Sequence, residues 1–193
     1  MNPWYAKAVL LAASVALVAI RAPHGQRSRS VPVVKHARSG LERGVLLFAI
    51  LCFFVPLVWI ASDAFAFADF ELRFATLVIG AVFLAASLWL FHRSHVDLGR
   101  NWSVTLEVRE GHALVTHGVY RTIRHPMYSA LIAYGVGQAL VVPNWIAGPS
   151  YLVAMLVVFF TRLGPEERLM REQFGAEYDA YRARTKRLLP GIF

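Results

Sequence analysis

The chain has 193 residues, 57% of them apolar and only 17% charged, with a formal net charge of +8. A soluble domain of this size would need a much larger polar surface, and the basic residues lie in gaps between apolar runs. That distribution excludes a nucleic-acid-binding patch and matches the flanks of membrane segments. The lone Cys52 sits inside an apolar run, which excludes a disulfide framework and a cysteine-based metal site.

A helix crossing the roughly 30 Å hydrocarbon core needs about 20 mostly apolar residues. The first such stretch, 4–20, begins with Trp4 and Tyr5 at interfacial depth. It lacks a basic start followed by a small-residue cleavage site, so a retained span is expected rather than a signal peptide. Further spans are expected at 44–62, 72–91, 126–142 and 145–163. Pro143 and Asn144 form so short a connection that the last two spans must be an antiparallel pair.

Nearly all basic residues fall into three regions. The 21–43 loop holds Arg21, Arg27, Arg29, Lys35, Arg38 and Arg43, and the 91–125 stretch holds Arg93, Arg100, Arg109, Arg121 and Arg124. The tail holds Arg162, Arg168, Arg171, Arg182, Arg184, Lys186 and Arg187. Only Lys7 and Arg73 fall elsewhere, and the 62–73 loop carries Asp63, Asp69 and Glu71. With five spans the three basic regions share one face, which puts the N-terminus outside and the C-terminus in the cytoplasm of an inner or plasma membrane.

Two segments between and after the spans look ordered. Val104 to Tyr120 is β-rich with a turn signal at Glu110-Gly111, which predicts a short ribbon. The tail from Pro165 to about Arg184 reads as a helix, with Pro165 in its first turn and Leu169, Phe174, Tyr178 and Tyr181 near one face. Its basic residues suit anionic lipid headgroups. The expected architecture is all-α: a single membrane domain over 1–193 with about five transmembrane helices.

Two motifs can carry chemistry, and each has a plainer alternative. In Arg124-His125-Pro126 the residue before proline is pushed out of helical geometry, while proline fits a first helical turn. His125 therefore caps the fourth span, either as an ordinary interfacial residue or where free N–H groups meet a polar ligand. Arg162 and Glu166 stand four apart where the last span ends, either as a simple helical ion pair or as functional groups at membrane depth, exposed by a break at Pro165. The seven histidines, His92 with His95 and His112 with His117 among them, form no metal set at ligand spacing.

Taken in order, His112-Ala-Leu-Val-Thr-His-Gly-Val-Tyr120 and Arg124-His-Pro-Met-Tyr128 resemble the cofactor-binding signature of the isoprenylcysteine carboxyl methyltransferase family. The block from Arg162 through Glu166 and Phe174-Gly-Ala-Glu-Tyr178 resembles that family's C-terminal motif, so the resemblance covers the chain from Asp97 onward. It implies a methyltransferase using S-adenosyl-L-methionine, with a cytoplasmic pocket built from segments 93–125 and 164–193. His112, Ala113, Leu114 and Val115 would line that pocket mainly through backbone groups, completed by Tyr120, His125, Pro126, Met127 and Tyr128. Glu166 would hold a polar part of the cofactor and act with Arg162, which would face the acceptor. Eukaryotic members carry an amide residue upstream of the His-x-Leu-Val run, where this chain offers Thr105 and Glu107.

The implied reaction is carboxyl methylation of an isoprenylcysteine-like acceptor that enters from the bilayer. Two other readings stay open: an amine or phospholipid N-methyltransferase of the same superfamily, and a nicotinamide-dependent membrane reductase.

Overall fold

The computed structural model describes residues 1–29, 33–36, 40–99, 107–109 and 113–192. Among them the elements are α1 (Trp4–Arg29), β1 (Val33–His36), α2 (Gly40–Ala61), α3 (Phe74–Leu98), β2 (Glu107–Arg109), α4 (Pro126–Val141), α5 (Ser150–Phe174) and α6 (Ala176–Arg184). Short 3-10 turns lie at Ala66–Ala68 and Gly118–Arg121.

The outward faces of the long helices expose apolar side chains, among them Leu11, Val15, Leu51, Phe54, Val82 and Phe160. Such a surface is that of a protein solvated by lipid. Among the described residues three helices are long and apolar enough to cross a membrane: α1 as far as Gly25, α2 and α3. α4 has only 16 residues, and α5 carries acidic and basic residues through its second half.

Lipid tails are as apolar as leucine, so helices in a bilayer associate by close packing rather than by escape from water. α4 lies at the centre, against α3, α5 and α1. A Cβ on Gly137 would come within 2.9 Å of the Gly80 carbonyl oxygen of α3, and one on Gly135 within 2.6 Å of Leu152 Cα of α5. These close approaches are the reason for both glycines. Tyr134 of α4 is fully buried, shares a 3.0 Å hydrogen bond with Ser14 of α1 and meets the Tyr151 ring edge-on.

Three local expectations need correction. Among the described residues the one strand of the expected ribbon, β2, pairs antiparallel with β1 from the first basic loop and with no strand in 113–120; the Glu110-Gly111 turn signal and Thr105 lie outside the described residues. The connection after α4 runs from Val142 to Pro149, longer than the dipeptide expected. The tail helix does not restart at Pro165: α5 continues through it, because a proline in a long packed helix costs one backbone hydrogen bond and is tolerated with a bend. The break comes at Gly175, whose φ of +51° suits glycine and whose N–H closes the helix on Arg171 O.

The two ends of the bundle differ in contents. One end gathers the N-terminus and the 62–73 and 142–149 loops, with Lys7 Nζ donating to Ile60 O and Met1 N to Leu72 O. Asn144 organises it: Nδ2 donates to Phe65 O (2.7 Å) and Asp69 Oδ1 (2.6 Å), while Oδ1 accepts from the N–H groups of Ile146 and Ala147. At the other end residues 185–188 form a strap across the start of α4. Arg124 N donates to Lys186 O, His125 N to Arg187 O, and Ser129 Oγ to Leu188 O.

Candidate active site

A cavity of about 560 Å³ opens between the helices at the strap end. Its lower wall is apolar, made by Leu17 of α1, Ala49 and Phe53 of α2, and Met155 and Val158 of α5. Its upper wall comes from Ala113, Leu114 and Val115, from Tyr120, and from Tyr178 and Tyr181 of α6. Between the two zones stand Arg21, Tyr128, His125, Arg162 and Glu166.

Of the residues singled out in the sequence, Ala113, Leu114, Val115, Tyr120, His125, Met127, Tyr128, Arg162 and Glu166 all reach this one cavity. Pro126 is buried at the first position of α4, where its fixed φ sets the start of the helix, and is not on the wall. His112 lies outside the described residues, and Glu107 sits in β2.

His125 is the N-cap residue of α4, with its carbonyl accepting from Ser129 N. The N–H groups of Arg124 and His125 are taken by the strap, so they do not face the cavity as free donors. The imidazole, only 6% exposed, lies between two acids of α5: Nδ1 is 3.7 Å from Glu166 Oε1 and Nε2 is 3.5 Å from Glu167 Oε1. Burial alone would lower the His125 pKa, but the two carboxylates outweigh it and raise the value above 6.5. Burial likewise opposes ionisation of Glu166, yet His125, Arg162 and the Tyr128 hydroxyl hold its pKa below the ordinary carboxylate value. The Glu167 pKa is pulled down to about 2, first by its contact with His125. These shifts all favour the ionised forms, an imidazolium between two carboxylates.

Glu166 keeps its side chain about a third exposed, at 31%, and accepts a 2.9 Å hydrogen bond from Tyr128 OH. Arg162 is ion-paired at 3.3 Å with Glu42, from the first turn of α2. Both partners are nearly buried, with side-chain exposures of 11% and 5%. Of the two readings of Arg162 and Glu166, the four-apart ion pair gives way to two cross-helix pairs, each carboxylate tying α5 to another element.

Sequence reasoning missed Glu42, Glu167, Arg21 and Tyr151. Glu42 carried a signal, as the only acidic residue between Met1 and Ser62. Glu167 carried one too, because the adjacent cations Arg124-His125 match the adjacent anions Glu166-Glu167. Arg124 donates to Glu167 through Nε and Nη2, both at 3.2 Å, and to the carbonyl oxygen of Thr185. Tyr151 in its apolar run offered no such sign.

The pattern that defines the phospholipid methyltransferase family matches residues 75–177, more than half of the chain. The chain belongs to this family. Among characterised proteins it is 27% identical over 133 residues to a probable protein-S-isoprenylcysteine O-methyltransferase of Oryza sativa subsp. indica, covering 68% of this chain and 70% of the rice protein. It is 36% identical over 92 residues to the protein-S-isoprenylcysteine O-methyltransferase of Homo sapiens, covering 48% of this chain but 32% of the human one. A solved structure of a eukaryotic intramembrane Ras methyltransferase superposes with a TM-score of 0.54 at 24% identity, covering 83% of this chain and 55% of that protein. The resemblance seen in the motifs thus holds for the family and extends to the fold.

Proposed function

We propose that this protein is an S-adenosylmethionine-dependent methyltransferase acting on a lipophilic, membrane-borne acceptor, and that it O-methylates an isoprenylcysteine-like carboxylate. The observation that carries this reading is the joining of two chemically different zones in one cavity, an apolar one between helices and a polar one beneath the strap, with Arg162 at the junction. Its volume of about 560 Å³ falls within the roughly 300–1,000 Å³ of small-molecule sites.

The residues present fit the cofactor. Among the described residues, no hydrogen bond reaches the backbone groups of Leu114 or Val115 at the half-buried wall, so they are available to a ligand's polar edge. Glu166 turns an ionised, partly open carboxylate toward the same space, suited to cationic groups. Ala113, Leu114, Val115, Tyr120, His125, Met127, Tyr128 and Glu166 would hold the cofactor, with His112 assigned to the same set and Pro126 fixing where α4 begins. Bound S-adenosylmethionine supplies a methyl group already activated on a sulfonium.

The chain's own residues then have three tasks. A C-terminal carboxylate has an ordinary pKa of about 3.5, so it is ionised at neutral pH and requires no general base. Arg162, held by Glu42, grips and orients that carboxylate, since a guanidinium can bind it in two-pronged fashion. The apolar wall takes the lipid chain and excludes water from the junction.

The main rival is N-methylation of a phospholipid amine. It would bring a cation toward Arg162 and Arg21 and would require a proton acceptor, while the two acids favour the protonated form of His125 and Glu166 already accepts a hydrogen bond from the Tyr128 hydroxyl. Those charges favour a carboxylate acceptor. The family match also favours transferase chemistry over nicotinamide-dependent reduction.

We assign the chain five spans, with α4 and α5 joining the three long apolar helices, the N-terminus outside and the cavity facing the cytoplasm. The charge segregation supports this, together with Met1 and Lys7 lying at the end opposite Arg162 and the strap. Calorimetric binding of S-adenosylhomocysteine to detergent-purified protein, with His125→Ala alongside, tests the cofactor. Labelled methyl transfer to a farnesylated cysteine, compared with phosphatidylethanolamine, tests the acceptor. Binding that collapses in the variant and transfer to the cysteine carboxylate are expected. Absence of binding by folded protein would sink the methyltransferase reading, and transfer to the amine alone would sink the acceptor.

A further inference from the structure

The upper wall of the cavity, residues 113–117, is neither helix nor strand and runs into the short 3-10 turn Gly118–Arg121. A connecting segment has no ladder of its own, so its shape depends on groups that reach it from other elements. From α6, Tyr181 OH donates to Tyr120 O at 2.7 Å. From the end of α3, Asp97 Oδ2 accepts from Val119 N at 2.9 Å.

Asp97 stands where its charge is costly. It lies in the last turn of α3, at the negative end of the helix dipole, and its side chain is only 7% exposed. Arg93, one turn back, offsets part of that cost by donating to Oδ1 at 3.1 Å. The other oxygen is the one that holds the wall. Gly118 completes the joint, since its φ of +58° lies in the left-handed region and a Cβ there would overlap the Asp97 carboxylate. Bare backbone is thus brought against a buried carboxylate, in a hydrogen bond strengthened by charge.

We propose that Asp97 is a positioning residue for the cofactor, fixing from the end of α3 the wall formed by Leu114, Val115 and Tyr120. This role rests on the S-adenosylmethionine reading given above. Asp97 does not line the cavity, so it acts through the segment and not by touching the ligand. A wall left loose has to be ordered by the ligand, which weakens binding. Once the ligand saturates the site the wall is in place, and the chemical step proceeds as before. The loss therefore falls on KM and spares kcat.

The test is calorimetric titration of the detergent-purified full chain with S-adenosylhomocysteine. Asp97→Ala should bind about tenfold more weakly, the size expected for one lost hydrogen bond to a charged acceptor. Asp97→Asn, whose amide oxygen can still accept from Val119 N, should recover most of the affinity. Arg93→Gln leaves that bond in place and should match the wild type. Gly118→Ala attacks the same joint from the wall side, with α3 untouched, and should repeat the loss. In methyl transfer, Asp97→Ala should raise the KM for S-adenosylmethionine while keeping kcat and the acceptor KM. Trypsin gives a reading free of ligand: cleavage after Arg121, exposed in the 3-10 turn, should quicken in Asp97→Ala and slow again with S-adenosylhomocysteine. Asp97→Ala and Gly118→Ala proteins that lose Tm yet bind like the wild type would show a purely structural carboxylate and overturn the proposal. An equal loss in Arg93→Gln would overturn it too. A folded wild type that does not bind would instead remove the cofactor reading beneath it.

Discussion

At the loop end of the bundle, Asn144 uses both halves of its amide, Asp69 also accepts from Trp59 Nε1, and the Gln138 amide closes on Ala147 and Gly148 carbonyls. At the strap end the buried groups are charged and meet at ion-pair distances: Arg162 with Glu42, and His125 between Glu166 and Glu167. Neutral amides that find full sets of partners fix loops cheaply. Buried charges cost desolvation and are retained where they bind or orient something. The difference separates scaffold from site within one small membrane protein.

The sharpest way to break that division is to remove one charge from the junction. Arg162→Gln should lower methyl transfer by about 10²–10³-fold, the range found when one charge-stabilising donor leaves an active site. Binding of S-adenosylhomocysteine should survive, and Glu42→Gln should reproduce part of the loss by releasing Arg162. Full turnover in Arg162→Gln, on every acceptor tried, would remove Arg162 from the site.

At the opposite end, Asn144→Ala strands the buried Ala147 N–H, at about 1–3 kcal/mol for a buried group left unsatisfied, and releases Phe65 O and the Ile146 N–H at more open positions. We expect roughly 1–3 kcal/mol of lost stability in reversible unfolding, with cofactor-product affinity unchanged in the folded protein. A weakened affinity would mean the two ends are coupled. Smaller again is Glu166→Gln, which keeps shape but loses charge. Calorimetry should show about tenfold weaker S-adenosylhomocysteine binding, or ~1.4 kcal/mol.

Much of this organisation is written in short-range sequence. Apolar runs long enough to cross lipid became α1, α2 and α3, and the proline after His125 fixed where α4 starts. Ala113, Leu114, Val115, Tyr120, His125, Met127, Tyr128, Arg162 and Glu166 of the two motifs line one cavity. Long-range pairings left no such trace. The β1 partner of β2 comes from the first basic loop, and a local turn signal cannot announce it. A pairing of Arg162 with Glu166 was open because four-apart spacing is visible in sequence, whereas the observed partner Glu42 sits on another helix. Pro165 misled for a related reason: a local breaker matters less when the helix is held along its length by packing.

The most delicate consequence of the charged end is its pH dependence. The His125 pKa is raised above 6.5, so its pairing with the two acids contributes fully below 6.5 and is lost as pH rises through the raised value. The acids contribute in the opposite sense: the Glu167 pKa is lowered from 4.5 to about 2, so its share is present above 4.5 and lost as pH falls toward 2. Both contributions are therefore complete between these limits, and mildly alkaline conditions remove only the first. Tm measured from pH 6 to pH 9 should fall in the wild type more than in His125→Gln, because only the wild type has this proton to lose. At the loop end Asn144 and Gln138 have no proton to lose in this range, so Asn144→Ala should lower Tm throughout and leave the wild-type slope intact. A wild-type curve parallel to that of His125→Gln would mean that the imidazole is neutral between its two carboxylates. It could then serve as the proton acceptor that an amine substrate requires.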